Sequence, residues 1–322
     1  MLGLLSLCVV LLSFPVEHHA RGVNTHLTRA LQSAPNGLLP IVLWHGMGDS
    51  CCDTQEGVGK LKSELEKKYG VYVHSIGFGS QQQDVTASYI GNVNDQVAEV
   101  CRVLKEKKEL ENGFDGIGFG QGGQFLRAVV ERCQHEGPQM RLLITLGAQH
   151  QGVMATPTCM EGSGSMCLIM TNLISQGNSP YYGWAAENIV QAQYLKDPNK
   201  IDLYMEKNNF LADINNEKKE KSQQYGDNLA SLSAFVMFEF LDDNVVKPKE
   251  TAIFSYHDGD RLIPLRELPH YTEDWIGLKR LDQKGGLHFE SVQKQHMDVD
   301  WEWFDENVIE KYIVNYCIEN QC

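Results

Sequence analysis

The sequence predicts an α/β protein with a mostly parallel central sheet, helices on both faces and a helical insertion. Three observations lead to this prediction. Strand-like and helix-like segments alternate between residues 39 and 146, which is typical of a parallel sheet with crossover helices. The strand-like segments are short continuous apolar runs, as expected for strands buried on both faces. The alternation stops after about residue 152 and returns at residue 235, so the polar stretch between them is interpreted as an insertion.

The first part of the sheet is predicted from two strands and two helices. Residues 39–44 (LPIVLW) form an apolar run that ends at His45-Gly46, so a buried strand is expected to meet a glycine turn there. A helix is predicted over 57–69, where apolar and charged residues recur at helical spacing, and a strand over 71–76. A second helix follows from Val93, since one of its faces is apolar at Val97, Val100, Cys101 and Leu104.

The later elements surround a cluster of glycines. Residues 116–119 are predicted to form a strand that runs into this cluster, and a helix is expected over 125–133. Further strands are predicted at 141–146, 235–241 and 252–256, and a closing helix at 301–316. The insertion, about 153–230, is polar and mostly helical in pattern.

The N-terminus is interpreted as a secretory signal peptide over residues 1–20. Leu2 to Phe14 is a nearly unbroken apolar run, and Ala20 is a small residue suited to a cleavage site. The run is too short to cross a bilayer, and the alternative is a short membrane-associated anchor. Residues 21–37 are predicted to be a linker and 38–322 a single domain. No later stretch has the length and apolarity of a transmembrane helix, so the expected location is the secretory pathway, in a lysosome or vacuole or outside the cell.

Charge and cysteine content exclude two other classes of protein. The net charge of −14 repels phosphate backbones, so no nucleic-acid partner is expected. Cys8 lies in the predicted signal and would be lost with it. The remaining cysteines are even in number, which in an exported chain suggests disulfides: Cys51, Cys52, Cys101, Cys133, Cys159, Cys167, Cys317 and Cys322. Zinc is the alternative, but the sequence has no CxxC pair and no histidine cluster at ligand spacing, so no metal site is predicted.

The glycine cluster, Gly118–Gly123 (GFGQGG), has the setting of a nucleophile elbow, G-x-S-x-G, between a strand and a helix. Gly120 occupies its central position. Two other interpretations compete. The glycines also match the G-x-G-x-x-G of a dinucleotide-binding loop, but that loop usually follows the first strand and has an acidic residue about 20 positions on, where Glu136 is a rough fit. The third interpretation is a turn with a structural role only.

Residues elsewhere in the chain favour the elbow. His45-Gly46-Met47-Gly48 follows an early strand, and such a loop can donate a backbone N–H to an oxyanion hole. Gln121, directly after the nucleophile position, would donate a second one. Asp243 follows a predicted strand and His296 precedes the closing helix, so elbow, aspartate and histidine occur in the order found in α/β-hydrolases.

The chain resembles the palmitoyl-protein thioesterases over about residues 38–322. The resemblance rests on HGMGDSCC (45–52), GFGQGGQFLRA (118–128), GAQHQGV (147–153), FLADIN (210–215), FVMFEFLDD (235–243) and the stretch from His296 to Phe304. It implies an α/β-hydrolase that removes long-chain fatty acyl groups from protein cysteines. The implied partners are S-palmitoylated proteins or peptides and long-chain acyl thioesters. No cofactor is implied, since triad chemistry uses none.

The resemblance also assigns roles to individual residues. Asp243 and His296 correspond to the catalytic aspartate and histidine, and the backbone of Met47 and Gln121 to the oxyanion hole. Three disulfides are implied, and the last two cysteines are left as candidates for a fourth: Cys51–Cys52, Cys101–Cys133 and Cys159–Cys167, then Cys317 with Cys322.

The chain departs from this family at the nucleophile, where Gly120 stands in place of serine. Without that hydroxyl no acyl-enzyme can form there, so turnover is expected to be absent or much reduced. Serine and glycine codons can differ by one base, and a change at one codon would equally produce this chain. Three functions follow: a thioesterase by lineage, an inactive protein that binds acyl chains or lipidated peptides, or a secreted lipase or esterase.

Overall fold

The computed structural model describes residues 37–155, 167–168 and 183–316. The predicted signal peptide, nearly all of the predicted linker, Cys159 and the candidate pair Cys317–Cys322 lie outside these residues. In the described part of the chain, six strands form one parallel sheet, in chain order β1 (Ile41–Trp44), β2 (Val73–Ser75), β3 (Phe114–Phe119), β4 (Met140–Leu146), β5 (Ala234–Phe240) and, last, β8 (Leu287–Val292). Their order across the sheet is β2-β1-β3-β4-β5-β8. A separate antiparallel pair consists of β6 (Tyr256–His257) and β7 (Leu262–Ile263).

Helices connect these strands. Those resolved among the described residues are α1 (Gly57–Tyr69), α2 (Gln81–Ala87), α3 (Val93–Glu106), α4 (Gln121–Cys133), α5 (Gly183–Asn188), α6 (Ile201–Lys207), α7 (Leu211–Ile214), α8 (Gln223–Ala230), α9 (Pro269–Thr272), α10 (Leu278–Gln283) and α11 (Trp301–Phe304), which continues as a π-helix over Asp305–Tyr316. Short 3-10 turns lie at Lys108–Leu110, Val190–Tyr194, Pro198–Lys200, Lys249–Ile253 and Leu265–Glu267.

Strand β1 shows why both faces of the sheet are covered. Its four residues are all buried, and successive side chains of a strand point to opposite faces. Ile41 and Leu43 join a core that includes residues of α1 and α11, whereas Val42 and Trp44 join the core formed with α3 and α4. The sheet is therefore the middle of three layers, as the apolar runs predict.

Most predicted elements are present, but one is wrong. Residues 252–256 were expected to add a strand to the sheet. Instead, Lys249–Ile253 form a 3-10 turn, Phe254 has a left-handed backbone (φ 62°), and only Tyr256–His257 pair as a short strand outside the main sheet. Two apolar residues of this run, Ala252 and Phe254, are buried all the same, although they belong to a turn.

The sixth strand, β8, was not predicted from the sequence. This strand pairs in parallel with β5 from Leu287 to Val292. Its middle residues are polar or only half-buried, as expected at the edge of a sheet. Continuous apolar runs are typical of strands that are buried on both faces. Strand β8 is partly polar, so its sequence does not show this pattern.

Two disulfides lie in the described part of the chain. Cys51–Cys52 joins neighbouring residues just after the loop that follows β1. Cys101–Cys133 joins α3 to the last residue of α4. Cys167 is also disulfide-bonded and buried, while Cys159, the partner implied for it, lies outside the described residues.

Candidate active site

The candidate site lies at the carboxyl edge of the sheet, where four strands end. His45 directly follows β1, Gly120 follows β3, Asp243 lies three residues beyond β5, and His296 lies four residues beyond β8. After β1 the chain continues to β2, which pairs with one edge of β1, while β3 pairs with the other edge. In open parallel sheets, ligands bind in the crevice at such a point.

Gly120 sits in a tight strand-to-helix turn. Its backbone has φ 51° and ψ −123°, and it precedes the first residue of α4. This region of φ/ψ is rarely adopted by L-residues and is found at strained functional turns. The Gly120 N–H donates to the carbonyl of Leu146 (2.9 Å), which ties the turn to the end of β4. The geometry is that of a nucleophile elbow.

The flanking glycines allow the strand and helix to approach closely. A Cβ on Gly118 would lie 2.4 Å from Gly123 Cα, and one on Gly122 would lie 2.3 Å from the carbonyl oxygen of Trp44. Both neighbours are backbone atoms, which cannot move aside without shifting an element. These two glycines are therefore required by packing.

Gly120 differs from its neighbours, because a side chain fits there. A Cβ at this position would lie 3.5 Å from His296 Nε2, 3.8 Å from Gly46 Cα and 4.0 Å from Gln149 Nε2. These are ordinary van der Waals distances. A serine would place its Oγ, one bond further out, within reach of the His296 imidazole. The space required by a nucleophilic side chain is present, and glycine does not fill it.

His296 and Asp243 form a hydrogen-bonded pair. His296 Nδ1–H donates to Asp243 Oδ2 at 2.6 Å. Asp243 Oδ1 accepts from the backbone N–H groups of Val245 (2.8 Å) and Val246 (2.9 Å), which fix the carboxylate. With the proton on Nδ1, the Nε2 lone pair faces Gly120, the arrangement that a general base requires.

Gly147, at the end of β4, makes room for this imidazole. A Cβ on Gly147 would lie 2.9 Å from His296 Cε1 and 3.0 Å from Nδ1, and its backbone has φ 58°. Glycine therefore lets the ring lie against the chain.

The two residues predicted to form an oxyanion hole, Met47 and Gln121, line the same cavity as Gly120. Gln121 is the first residue of α4, and the first N–H groups of a helix have no partner within the helix. Its side chain is held firmly, since Nε2 donates to the Ser88 carbonyl (2.9 Å) and Oε1 accepts from Gln191 (3.0 Å) and Tyr194 (3.0 Å). Met47 lies in the loop after β1 and lines the same cavity. Met47 and Gln121 therefore line the same cavity as Gly120, and their role as oxyanion donors stays a prediction.

The loop that carries Met47 is fixed by buried polar groups. Asp84 lies 3.1 Å from His45 Nε2, and its Oδ2 accepts from the Cys51 N–H at 2.6 Å. Gly48 N–H donates to Ser88 Oγ at 2.9 Å. Burial lowers the pKa of His45, but the Asp84 carboxylate outweighs it, so the pKa of His45 is raised above 6.5. His45 therefore has a structural role beside the site.

A cavity of about 610 Å³ opens from this point. Its size falls within the range of small-molecule pockets, roughly 300–1,000 Å³. Gly120, Gln121 and His296 line the cavity. Its apolar lining consists of Val58, Leu61, Phe119, Val245, Val246, Met297, Val299 and Trp301. Charged residues also line it: Asp49, Glu56, Lys60, Glu64, Asp300 and Glu302. The cavity can accommodate an apolar chain whose reactive end reaches His296.

Three site residues were not singled out from the sequence. Asp84 and Tyr194 come from a helix and a turn with no motif of their own. Gln149 lies within the GAQHQGV segment, which carried the family resemblance, but no role was assigned to it. Their functions depend on contacts between segments that are distant in the chain, which a single sequence does not reveal.

Metal binding and membrane insertion concern two further features of the described residues. These residues contain no group of three or more His, Cys, Asp or Glu side chains placed to hold a metal ion. Across the same part of the chain, no helix combines the length and apolarity needed to cross a membrane.

The fold, the elbow and the histidine–aspartate pair define this protein as an α/β-hydrolase by architecture. Comparison with known proteins narrows this class. The family model described as palmitoyl protein thioesterase matches residues 40–296. The chain belongs to the palmitoyl protein thioesterase family.

Individual relatives agree with this assignment. The chain is 40% identical to palmitoyl-protein thioesterase 1 of Caenorhabditis elegans, over 86% of this chain and 92% of that protein. It is 33% identical to palmitoyl-protein thioesterase 3 of Dictyostelium discoideum, over 80% and 85% of the two chains. It is 29% identical to a Mus musculus protein named lysosomal thioesterase PPT2, over 77% and 78%.

Proposed function

We propose that this protein binds long-chain acyl thioesters of S-palmitoylated proteins or peptides, without forming the acyl-enzyme of a serine hydrolase. The observation that carries the proposal is the environment of Gly120. An elbow, a histidine–aspartate pair and an apolar cavity surround a position that has no nucleophile. The family assignment supports the acyl thioester as ligand.

Each residue then has a distinct role. The acyl chain lies along the apolar wall of the cavity, and the thioester carbonyl lies beside Gly120. The backbone N–H groups of Met47 and Gln121 donate to the carbonyl oxygen. Asp243 orients His296 and stabilises its protonated form. By analogy with triad knockouts in another serine hydrolase, loss of the nucleophile costs on the order of a million-fold in kcat, or roughly 8 kcal/mol of transition-state stabilisation.

The same proposal places the protein in the secretory pathway and a lysosome-type compartment. Relatives named lysosomal thioesterases and the two disulfides support this location. Residues 1–20 would act as the signal and 21–37 as a linker to a single domain, 38–322, with an insertion at about 153–230.

Binding can be measured independently of catalysis. The probe is a peptide that carries a non-hydrolysable palmitoyl thioether on cysteine, titrated against the protein by calorimetry. Leu61→Asp places a charge in the apolar wall of the cavity, and its matched control, Leu262→Asp, changes a leucine that is 38% exposed and lies outside the cavity. We expect Leu61→Asp to abolish binding and Leu262→Asp to retain it. Absence of binding to the unaltered protein, or equal binding by both variants, would contradict the proposal.

A further inference from the structure

The space at Gly120 is bordered by two polar groups that can hold a small molecule. The position of a Cβ there lies 3.5 Å from His296 Nε2 and 4.0 Å from Gln149 Nε2. A site for water requires room for one oxygen and two to four polar partners. The lone pair of His296 Nε2 provides an acceptor, and the Gln149 amide provides a donor.

We infer that this chain hydrolyses acyl thioesters by direct attack of a water molecule held between His296 and Gln149. The inference rests on the proposed function, since the thioester must first bind in the cavity. Water takes the place of the missing hydroxyl, and the reaction proceeds in one displacement without an acyl-enzyme. His296, oriented by Asp243, still acts as a general base although the serine is absent.

Gln149 is held in an orientation suited to this role. Its Nε2 donates to the Gly147 carbonyl at 3.0 Å, and its Oε1 accepts from Gln124 Nε2 at 3.2 Å. A primary amide has two N–H bonds, so one remains to donate to the water. Both glutamines are buried, which fixes the amide before the ligand binds. Gln149 is therefore a positioning residue.

The step balances as follows. The water oxygen attacks the thioester carbon while His296 Nε2 takes one of its protons, and the carbonyl oxygen becomes an oxyanion beside Met47 and Gln121. Collapse of this intermediate breaks the carbon–sulfur bond. The proton on His296 passes to the departing sulfur. One thioester and one water give one carboxylic acid and one cysteine thiol.

The leaving group makes a water reaction feasible. A cysteine thiol has a pKa of about 8.5, so the sulfur departs readily and needs little assistance from an acid. The same site would be a poor catalyst for an amide or an alkyl ester, whose leaving groups are more basic. The inferred activity is therefore confined to thioesters.

The first test compares glycine variants, with a palmitoylated cysteine peptide as substrate. Gly120→Ala fills the water space with a methyl group. Its matched control is Gly285→Ala, which also has positive φ (79°) but has nothing within 4 Å of the added Cβ. We expect Gly120→Ala to abolish the slow hydrolysis and Gly285→Ala to retain it. Equal activity in Gly120→Ala would overturn the inference.

The second test removes each group that holds the water. A positioned general base contributes about 10²–10⁴-fold, so His296→Ala is expected to lower kcat by this factor. Gln149→Ala is expected to lower kcat while KM stays unchanged, because the amide contacts water and not the acyl chain. Unaltered turnover in His296→Ala would overturn the inference.

Mass spectrometry of the intact protein during turnover completes the test. The unaltered chain is expected never to gain an acyl group, whereas Gly120→Ser gains one transiently. Acylation of the unaltered chain would overturn the inference, because another residue would then be the nucleophile. The thioether titration separates the two proposals. Failure to bind the probe defeats the proposed function, while binding without turnover dependent on His296 defeats this inference alone.

Discussion

Two histidine–aspartate pairs lie near the carboxyl edge of the sheet, and only His296 of the second pair lines the cavity. Comparing them shows how the same two residue types can serve a structural role in one place and a chemical role in another. In the first, His45 and Asp84 are almost fully buried, with side chains 2% and 0% exposed. Both imidazole nitrogens face protein groups: Nδ1 is hydrogen-bonded to the Gly46 carbonyl at 2.9 Å, and Nε2 lies 3.1 Å from Asp84 Oδ1, an ion-pair distance without hydrogen-bond geometry. A histidine held in this way positions a loop and has no nitrogen left for a ligand.

In the second pair, one nitrogen of His296 is left for chemistry. The side chain of His296 is 10% exposed and its Nδ1 donates to Asp243. No hydrogen bond to Nε2 is found within the described residues, and this atom faces Gly120. The role of each histidine follows from which ring nitrogen its partners occupy.

The largest expected effect on catalysis comes from restoring the nucleophile. Gly120→Ser places a hydroxyl within reach of His296, and the surroundings accept its Cβ at 3.5 Å or more. We expect kcat for palmitoyl thioester hydrolysis to rise by at most about a million-fold, the cost of losing a triad serine elsewhere, and by less than this because His296 already activates water in the unaltered chain. Steady-state hydrolysis by the two proteins checks this. A folded Gly120→Ser protein with no gain would show that His296 is not poised for catalysis.

The next largest effect concerns the tautomer of His296. In the Gly120→Ser background, Asp243→Asn preserves the shape of the carboxylate but no longer requires a proton on Nδ1. We expect a loss of about 10⁴-fold in kcat. The comparable change in the other pair, Asp84→Asn, contacts no reacting atom, so a much smaller change in kcat is expected. Losses of similar size in both variants would remove the distinction between the pairs.

The third prediction concerns stability. Here the His45–Asp84 pair is expected to contribute more than the His296–Asp243 pair, the reverse of their expected contributions to catalysis. Asp84→Ala leaves His45 and the Cys51 N–H buried without their partner. Breaking a buried pair in this way typically costs about 3–5 kcal/mol, measured as the free energy of unfolding in urea. Asp243→Ala is expected to cost less, because the partly exposed His296 can be hydrated. A larger cost for Asp243→Ala would contradict this ordering.

Much of the fold could be predicted from the sequence, because four strands of the central sheet, β1, β3, β4 and β5, are buried along their whole length. Residues such as Ile41 and Val42 are apolar whichever side they point to, so the pattern is strong. The run at 252–256 has a similar composition, yet its buried residues Ala252 and Phe254 belong to a turn. In this run, the apolar composition predicts burial but does not predict whether the backbone pairs with a strand.

The candidate site was predictable only where its residues lie within motifs. Gly120, Gln121 and the loop at Met47 could be located because each lies within a short motif, and the function of such a motif depends on its own backbone. Asp84 comes near His45 through the packing of α2, and Gln149 acts across the turn after β4. Those contacts depend on how separate elements pack, so they became visible only in three dimensions.

A smaller effect is expected from glycines that pack against the two pairs. Gly122→Ala would push on the carbonyls of Trp44 and His45, which lie 2.3 and 2.6 Å from the added Cβ. Overpacking of this kind typically costs about 1–3 kcal/mol. Gly147→Ala would instead displace His296, so in the Gly120→Ser background it should reduce kcat more than Gly122→Ala does. Urea unfolding and hydrolysis rates of both variants check these expectations, which fail if Gly122→Ala is as stable as its parent.

The smallest effect is the pH dependence contributed by His45. Because Asp84 raises its folded-state pKa above 6.5, the folded protein binds this proton more tightly than the unfolded chain does. The resulting stability is fully present below pH 6.5 and is lost as pH rises through the folded-state pKa. Other buried histidines, such as His150 and His270, have lowered pKa values and act in the opposite direction as pH falls. The effect is therefore measured as the difference in unfolding free energy between the unaltered protein and His45→Gln, which should shrink with rising pH. A difference that stays constant from pH 5.5 to 8.5 would show that His45 is not held by the charge of Asp84.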